Sequence, residues 1–339
     1  MCARPITALR SPDALDVGVE TRVELRDARA DRRGSVQPAI LDWYERAGRS
    51  IAFRRTKDPY AVLVSETMAQ QTQIGRVEPA WERFMAEFPT IRALAAAPAA
   101  DVLRAWRGLG YNRRALNLHR AARAVVERFG GELPRSVVAL EELPGIGPYT
   151  ARAVAAIAFG APVGAVDTNV RRVLGRIVLG QAEAANDAAM QRLADELMPV
   201  DAAGPWTHAL MDIGATLCRP RHPNCAACPA AAWCRYAAAG VDDRASDGAS
   251  ARTGPAAAHG RIPPSSRPHA PVRFEATTRW LRGRILDRLR AADGEHWATV
   301  DGPIGSHPAP VVQSMLLVLE AEGLLEIDPT DATRARLPR

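Results

Sequence analysis

The sequence predicts an all-α fold, and three observations carry this prediction. Apolar residues recur at helical spacing, convincing strands are few, and glycine and proline divide the chain into helix-length pieces. Such a pattern is typical of domains in which helices pack against helices. After a first helix that begins near Pro38, the predicted helices cover residues 61–71, 76–87, 99–107, 112–129, 136–142, 148–159, 167–178, 184–197 and 204–217.

Composition divides the 339 residues into four regions. Residues 1–35 mix charged and small residues, so we expect a flexible arm there, followed by a helical domain over 36–236. Residues 237–270 are rich in Ala, Gly, Ser, Pro and Arg, which is typical of a linker. Residues 271–339 contain two helical segments and a predicted hairpin. They indicate a small winged-helix-like module, although a small helical cap would give the same pattern.

Composition also narrows the class of protein. No run of eighteen apolar residues exists, so no membrane span is expected, and the first 33 residues lack the apolar stretch of a secretory signal. The net charge of +6 favours a polyanionic partner. The basic residues are 43 arginines and the single Lys57, however, and an Ala- and Arg-rich composition can also reflect the genome.

A dense group of cysteines stands near the end of the helical domain. Four of the five cysteines lie within seventeen residues, at Cys218, Cys225, Cys228 and Cys234. One such group in a long chain predicts a metal site in a reducing compartment rather than a disulfide scaffold. Four thiolates satisfy either a zinc ion or a [4Fe–4S] cluster, and the compact spacing directly after a helix favours the cluster.

Two loops predict contacts to phosphates. The segment 143–150 (Leu-Pro-Gly-Ile-Gly-Pro-Tyr-Thr) lies between two helices, and Gly145 and Gly147 allow a close backbone approach. The free amides at the following helix N-terminus can bind a phosphate oxygen, so this segment is a helix–hairpin–helix signature. The loop after the first cysteine of the group presents Arg219 and Arg221, whose guanidinium groups suit a phosphate, although a solvated loop would have the same composition.

Two carboxylates stand out for their surroundings. Glu66 lies within an apolar helical stretch, where desolvation would raise its pKa and make it a proton donor. Asp167 precedes a helix and is either its N-cap or a catalytic group. Two carboxylates that meet in one pocket could protonate a leaving group and stabilise an oxocarbenium ion. The run Gln70-Gln71-Thr72-Gln73 offers amides that can fill the gap left by a displaced base.

Together these segments resemble the helix–hairpin–helix DNA glycosylase superfamily, and within it the MutY family of adenine glycosylases. The resemblance covers about residues 38–235. It rests on the order of Asp58-Pro59-Tyr60, Ser65-Glu66-Thr67-Met68, Gln70-Gln71-Thr72-Gln73, Gly108-Leu109-Gly110-Tyr111, the hairpin with Tyr149, the stretch 166–173 and the four cysteines. It implies a two-lobed fold, with a six-helix lobe at about 61–135 and an iron–sulfur lobe formed by 36–60 and 136–236. Family members usually add a larger Nudix-like domain, for which the residues after Pro271 are too few.

The resemblance also implies roles for single residues. Glu66 corresponds to the general acid that protonates adenine at N7, and Asp167 to the carboxylate that stabilises the sugar cation. Tyr149 and Asn169 correspond to residues that position these groups, and Arg54 to an arginine near the adenine pocket. The four cysteines correspond to the ligands of a [4Fe–4S] cluster. The residues that correspond to contacts at the base pocket and the opposite base are Gln70, Gln71, Thr72, Leu109 and Tyr111, the last as a wedge in the base stack.

The lysine content bears on the type of reaction. Bifunctional relatives similar to endonuclease III place a lysine in the hairpin, where Tyr149 stands here, and use it to cut the strand. The only lysine of this chain, Lys57, precedes the helix that carries the acid. A monofunctional glycosylase that uses water as the nucleophile is therefore favoured.

We expect an enzyme of base excision repair that hydrolyses the N-glycosidic bond of adenine mispaired with 8-oxoguanine or guanine. Its partner would be double-stranded DNA with a mismatched or oxidised base pair, bound by a monomer in the bacterial cytoplasm, at the nucleoid and away from membranes. One alternative is a thymine/uracil mismatch glycosylase of the same fold. Another is a non-catalytic iron–sulfur DNA-binding protein, but binding alone needs neither buried acid.

Overall fold

The computed structural model describes residues 36–181, 185–240, 273–292 and 296–339. The arm predicted over 1–35 and most of the linker predicted over 237–270 lie outside these residues. The described residues are mostly helical, which confirms the all-α prediction. The helices are α1 (36–47), α2 (Pro59–Ala69), α3 (Ile74–Glu87), α4 (Ile91–Ala96), α5 (Ala99–Ala105), α6 (Arg113–Phe129), α7 (Val137–Glu141), α8 (Pro148–Phe159), α9 (Thr168–Leu174), α10 (Asp187–Glu196), α11 (Ala203–Thr216), α12 (Arg235–Ala238), α13 (Thr278–Ala291) and α14 (Ala309–Ala321).

Helix α2 lies at the centre of the first lobe, and its residues 60–68 are all buried. The Asp58 side chain accepts hydrogen bonds from the first free amides of the helix, and Pro59 occupies the first helical position, where its missing N–H costs nothing. The helix ends at Ala69, two residues earlier than predicted. It ends there because Gln70 has a ψ of 114° and the next residue, Gln71, has a φ of +54°, both outside the right-handed helical region.

Buried apolar side chains of the described residues form two clusters, and the regions around them are called the first and the second lobe from here on. The first cluster draws on α2 to α8 and includes Leu63 and Trp106. The second draws on α1 and on α9 to α11 and includes Ile40 and Trp206. Helix α8 contributes to both clusters, so it joins the lobes and fixes the cleft between them.

Helix α9 begins at the mouth of this cleft. Asp167 is its N-cap, with the backbone amide of Val170 donating to Asp167 Oδ1 at 2.7 Å. After α9 the chain continues as a π-helical turn, Gly175–Leu179, instead of the regular helix predicted to residue 178. Single π-helical turns are frequent at functional sites, and this one contains the buried Arg176.

The residues after the predicted linker form a small module of α13, α14 and a sheet. The sheet has the strand order β1-β3-β2, with β1 (Ala298–Thr299), β2 (Glu326–Asp328) and β3 (Asp331–Arg336), all antiparallel. Strands β2 and β3 are the predicted hairpin, and β1 was not predicted. Buried apolar residues of the module, such as Leu281 and Leu316, belong to the same cluster as the first lobe, so the module packs onto it.

None of the described helices combines the length and the apolar character that a membrane crossing requires.

Candidate active site

A cavity of about 1050 Å³ opens between the two lobes and brings most of the predicted site residues together. Its wall contains side chains from α2, from the loop after α2, from the start of α6, from α8, α9 and α11, and from the C-terminal module. The predicted residues that line it are Arg54, Glu66, Gln70, Gln71, Thr72, Tyr111, Tyr149, Asp167 and Asn169. Leu109, Gly145, Gly147, Arg219 and Arg221 do not line it.

Glu66 is the buried acid of this cavity, with a relative exposure of 8%. Burial raises its pKa, the charge of Asp167 adds to the rise, and the Tyr149 hydrogen bond and the Arg54 charge oppose it. The net effect is a raised pKa, so the protonated form is favoured further toward neutral pH than for a carboxyl group in water. Its place in the apolar face of α2 produces the environment that the sequence predicted.

Tyr149 lies at the start of α8, and its hydroxyl donates to Glu66 Oε2 at 3.0 Å. Burial raises the pKa of the phenol well above its ordinary value, and the charge of Glu66 adds to the rise. The hydroxyl therefore remains protonated and acts as a hydrogen-bond donor. This contact places the hairpin residue in position to orient the acid.

The Asp167 side chain caps helix α9 and also lines the cavity. Its Oδ1 caps α9, and Asn169 Nδ2 donates to its Oδ2 at 3.1 Å. The sequence left open whether Asp167 is an N-cap or a catalytic group. The structure shows the N-cap, and the position of Asp167 at the cavity leaves the catalytic role a prediction. A carboxylate fixed by two donors and facing a cavity can stabilise a nearby positive charge without moving.

Asn169 is itself held by a residue that the sequence analysis did not select. Arg172 Nη2 donates to Asn169 Oδ1 at 2.7 Å, and Arg172 Nε donates to the carbonyl of Cys218 at 2.7 Å. One arginine thus connects the Asp167 side of the cavity to the first cysteine of the group. Arginine followed by arginine in the stretch after Asp167 was visible in the sequence, but their partners were not.

Asp212 is a second acid that sequence reasoning missed. It is fully buried on α11 and accepts from Arg54 Nη1 at 2.8 Å and from the backbone amide and the Nε of Arg49 at 2.8 and 2.7 Å. Burial would raise the pKa of Asp212, but the Arg54 charge and the bonds from Arg49 lower it overall. Like Glu66 it stands in an apolar helical stretch, and that signal could have found it.

The charge of Arg54 affects a further buried group beside this network. Burial, followed by the Arg54 charge, lowers the pKa of His208 to about 3. His208 is therefore neutral, and the positive charge at this end of the cavity belongs to Arg54 and Arg49. Their shared counter-ion Asp212 holds the Arg54 side chain, only 8% exposed, against the cavity wall.

Arg114 on α6 organises the two loops that carry the predicted opposite-base residues. Its Nη1 donates to the carbonyls of Thr67 and Met68, both at 2.9 Å, and to that of Gln70. Its Nη2 donates to the carbonyls of Leu109 and Gly110, both at 3.2 Å, and to the Thr72 hydroxyl at 3.1 Å. This arginine was also absent from the sequence prediction.

Tyr111 and Leu109 face different surroundings although they belong to the same loop. Tyr111 lines the cavity, is 47% exposed and has a φ of +46°, which is rare outside glycine. Leu109 is 6% exposed and packs in the core of the first lobe. The side chain that can reach a partner in the cavity is therefore that of Tyr111, and the contact predicted for Leu109 stays a prediction.

The predicted hairpin lies on the surface between α7 and α8. Gly145 has a φ of +76°, and a Cβ built on it would lie 2.5 Å from Cβ of Asn117, so only glycine fits. Gly147 is the N-cap of α8, no side chain caps that end, and the space around its Cβ position is open. The hairpin thus presents uncapped backbone amides at an accessible helix N-terminus, which is suited to a phosphate.

The four cysteines line one small, mostly apolar cavity beside the π-helical turn. Four thiols around one cavity are a donor set that fits an iron–sulfur cluster, and the same set could also serve zinc. Arg176 Nη1 lies 3.4 Å from Cys218 Sγ and donates to the carbonyl of Arg219 at 2.7 Å, which orders the first cysteine loop.

The hairpin, the buried acid hydrogen-bonded to it, and the cysteine group after the last helix of the domain define the class of helix–hairpin–helix DNA glycosylases. Residues 64–199 match the family described as HhH-GPD superfamily base excision DNA repair protein. The adenine DNA glycosylase of Mycolicibacterium smegmatis is 40% identical over 259 residues, which are 76% of this chain and 81% of the relative.

Solved structures that resemble the fold include two DNA-repair enzymes. A thermostable thymine-DNA glycosylase is 30% identical, with a TM-score of 0.58 over 63% of this chain and 98% of that one. Endonuclease III in a trapped covalent complex with DNA is 23% identical, with a TM-score of 0.54 over 63% of this chain and 99% of that one, which shows the shared fold. The chain belongs to the adenine DNA glycosylase family of the HhH-GPD superfamily, as the resemblance predicted, and is a DNA repair enzyme.

Proposed function

We propose that this enzyme removes adenine from double-stranded DNA where it is mispaired with 8-oxoguanine or guanine, and that it leaves the strand uncut. The observation that carries the proposal is the pairing of Glu66, whose pKa is raised by burial and which is held by Tyr149, with the fixed carboxylate of Asp167 in one cavity. An acid for the base and an anion for the sugar are the two groups that glycosidic cleavage requires.

Extrusion of the target nucleotide brings its base into the cavity, at a cost of about a few kcal/mol that a mispair reduces. Glu66 donates its proton to a ring nitrogen of the base, and the electron pair of the C1′–N bond departs with the base. Asp167 stabilises the cationic sugar that remains. Water then adds to C1′ and gives its proton to a carboxylate, so the products are free adenine and an abasic site.

The positions of lysine and tyrosine side chains indicate whether water or an amine attacks the sugar. The hairpin carries Tyr149 in place of an amine, and its hydroxyl is occupied by Glu66. Lys57 is exposed and does not line the cavity. Hydrolysis is therefore favoured over a Schiff base, and borohydride reduction during turnover should trap no covalent adduct with DNA. An adduct that disappears in Lys57→Ala would show lyase activity instead.

The DNA backbone would be bound by the open N-terminus of α8 at Gly147 and by exposed arginines, Arg219 and Arg221 among them. Both walls of the cavity come from one chain, which supports action as a monomer. The affinity for DNA should fall as the salt concentration rises, and the steepness of this fall should reflect the number of phosphates that the protein contacts.

Cys218, Cys225, Cys228 and Cys234 would hold a [4Fe–4S] cluster, which supplies a structural cross-link for the loop beside the DNA-binding surface. The test is chemical: the purified protein should contain four iron and four acid-labile sulfide ions per chain, with Cys225→Ser reducing both. A chain that carries one equivalent of zinc in place of iron would contradict this part of the proposal.

Base release from duplexes containing A:8-oxoguanine, A:G, T:G and U:G tests the proposal directly. We expect adenine release from the first two, and loss of release with retained DNA binding in Glu66→Gln. The similarity to a thymine-DNA glycosylase supports a second class of substrate, because the base in the name of that relative is a pyrimidine. Release of thymine or uracil in preference to adenine would establish that alternative and overturn this proposal.

A further inference from the structure

The C-terminal module reaches the cavity of the catalytic domain. Arg282 of α13 and Glu322, which follows α14, line it, and they form a two-bonded ion pair at 3.0 and 2.5 Å. Arg290, whose side chain is only 7% exposed, donates to the carbonyl of Leu103 at 2.9 Å and to Asn112 Oδ1 at 2.6 Å. Buried polar contacts of this kind fix the module against the loop that contains Tyr111 and Asn112.

Tyr111 itself is in contact with the module. The Arg279 guanidinium of α13 lies 5.1 Å from the centre of the Tyr111 ring, and that of Arg114 lies 5.5 Å from it. Both distances are within the range of cation–π attraction. Tyr111 has an unfavourable positive φ and is half exposed, so contacts outside its own loop help to determine where its ring points.

The other helix of the module is unsuited to a nucleic acid. Helix α14 (Ala309–Ala321) contains no arginine or lysine and exposes Leu317 and Val318 to solvent. In a winged-helix arrangement this second helix would be the usual reader of a DNA groove. The basic residue of the module that lines the cavity, Arg282, comes from α13 instead.

We propose that Arg279 is a positioning residue for Tyr111, and that through this contact the C-terminal module sets the preference for the base opposite the target adenine. The inference rests on the proposed function and on the role that the resemblance implies for Tyr111, which is contact with the opposite base. Arg279 holds the tyrosine ring in the orientation in which it meets that base, while Arg290 fixes the neighbouring Asn112. The module thus takes part in substrate selection without supplying a groove-reading helix.

The test compares single-turnover adenine release, divided by the dissociation constant, on A:8-oxoguanine and A:G duplexes. Loss of a cation–π contact at an exposed site predicts that Arg279→Ala lowers the ratio of these efficiencies by about two- to fivefold. Arg279→Lys should restore most of the ratio, because the charge returns. Arg288→Ala is the control, since Arg288 lies exposed on the same helix and does not line the cavity.

A double-mutant cycle decides whether Arg279 acts through Tyr111. We expect Arg279→Ala to have no further effect in a Tyr111→Ala background. An undiminished effect there, or a salt dependence of binding that falls by about one phosphate contact, would mean that Arg279 acts on the DNA directly and would overturn the inference. An unchanged ratio in both Arg279→Ala and Arg279→Gln would overturn it as well. Absence of adenine release from the unaltered enzyme would instead refute the proposed function.

Discussion

The Tyr149 hydroxyl donates a hydrogen bond to Glu66 Oε2 at 3.0 Å, across the interface between α8 and α2. This bond connects the hairpin that would bind the DNA backbone to the acid that would protonate the base. It also lowers the pKa of Glu66, because a donor to the carboxylate stabilises its charged form. This effect opposes the larger rise in pKa that burial causes.

Tyr149→Phe is therefore expected to raise the pKa of Glu66 further. As a general acid Glu66 must be protonated, so the rate of adenine release falls as the pH rises through its pKa. The descending limb of the pH–rate profile should move to higher pH in Tyr149→Phe, although the maximal rate falls because the acid is less well oriented. The measurement is single-turnover release across a pH series.

Tyr60→Phe provides the matched control for this profile. The Tyr60 hydroxyl donates to the carbonyl of Phe88 at 2.8 Å, away from the cavity. Its removal should leave the descending limb where it is. A limb that stays in place or moves to lower pH in Tyr149→Phe would contradict the role assigned to the hydrogen bond.

The raised pKa of Glu66 also predicts a dependence of stability on pH. The folded protein binds this proton more tightly than the unfolded chain, whose pKa is near 4.5, so the free energy of unfolding falls as pH rises above that value. Glu66→Gln removes this pH-dependent fall in the free energy of unfolding, because glutamine does not titrate. The variant should melt at a higher temperature than the unaltered protein at neutral pH, and the difference should vanish toward about pH 4. A variant that is less stable at every pH would contradict this.

Asp212 is the shared counter-ion of Arg49 and Arg54, and its removal should be costly. Asp212→Asn leaves two arginines at a mostly buried site without a negative partner, which we expect to cost about 3 kcal/mol of unfolding free energy. Glu142→Gln, which weakens an exposed ion pair with Arg128, should cost less than about 1 kcal/mol. Denaturant unfolding measures both, and equal losses would show that the Asp212 network adds little.

The parts of the site that the sequence predicted are those with a local signature. Glu66 and Asp167 stand out through the composition around them, and the hairpin through its glycines. Arg114 does not, because its importance arises from the carbonyl of Gln70, 44 positions away, which only the folded chain brings near. Asp212 has the local signature of an acid in an apolar helix, but its partners Arg49 and Arg54 lie 163 and 158 positions away.

The elements of the fold divide in the same way, into those with a local signature in the sequence and those without one. The long periodic helices were predicted to within a few residues, whereas the short elements α4, α12 and β1 were missed, since six, four and two residues show little of a period. The five-residue α7 was predicted because glycine and proline residues mark both of its sides. The early end of α2 has a long-range reason as well. Arg114 of α6 binds the carbonyl of Gln70 and, through it, stabilises a turn that the local sequence does not demand.

Replacement of Arg114 tests its organising role. Arg114→Lys retains the charge but cannot serve the carbonyls on both loops, because one ammonium lacks the two separated donor groups of a guanidinium. We expect a loss of about 2 kcal/mol in unfolding free energy and weaker binding of the mismatched duplex. Arg123→Lys, on the exposed face of the same helix, should change neither. Fluorescence anisotropy with a labelled duplex measures the affinity, and two indistinguishable variants would contradict this role.

The two hairpin glycines should respond differently to alanine. At Gly145 a methyl group would collide with Asn117, and φ is positive, so Gly145→Ala should lose about 1–3 kcal/mol of stability together with DNA binding. At Gly147 φ is −88° and the space is open, so Gly147→Ala should fold normally. Its methyl group would stand where a phosphate approaches the amides of α8, and affinity for duplex should fall about fivefold, equivalent to about 1 kcal/mol. Normal binding by a stable Gly147→Ala would place the phosphate elsewhere.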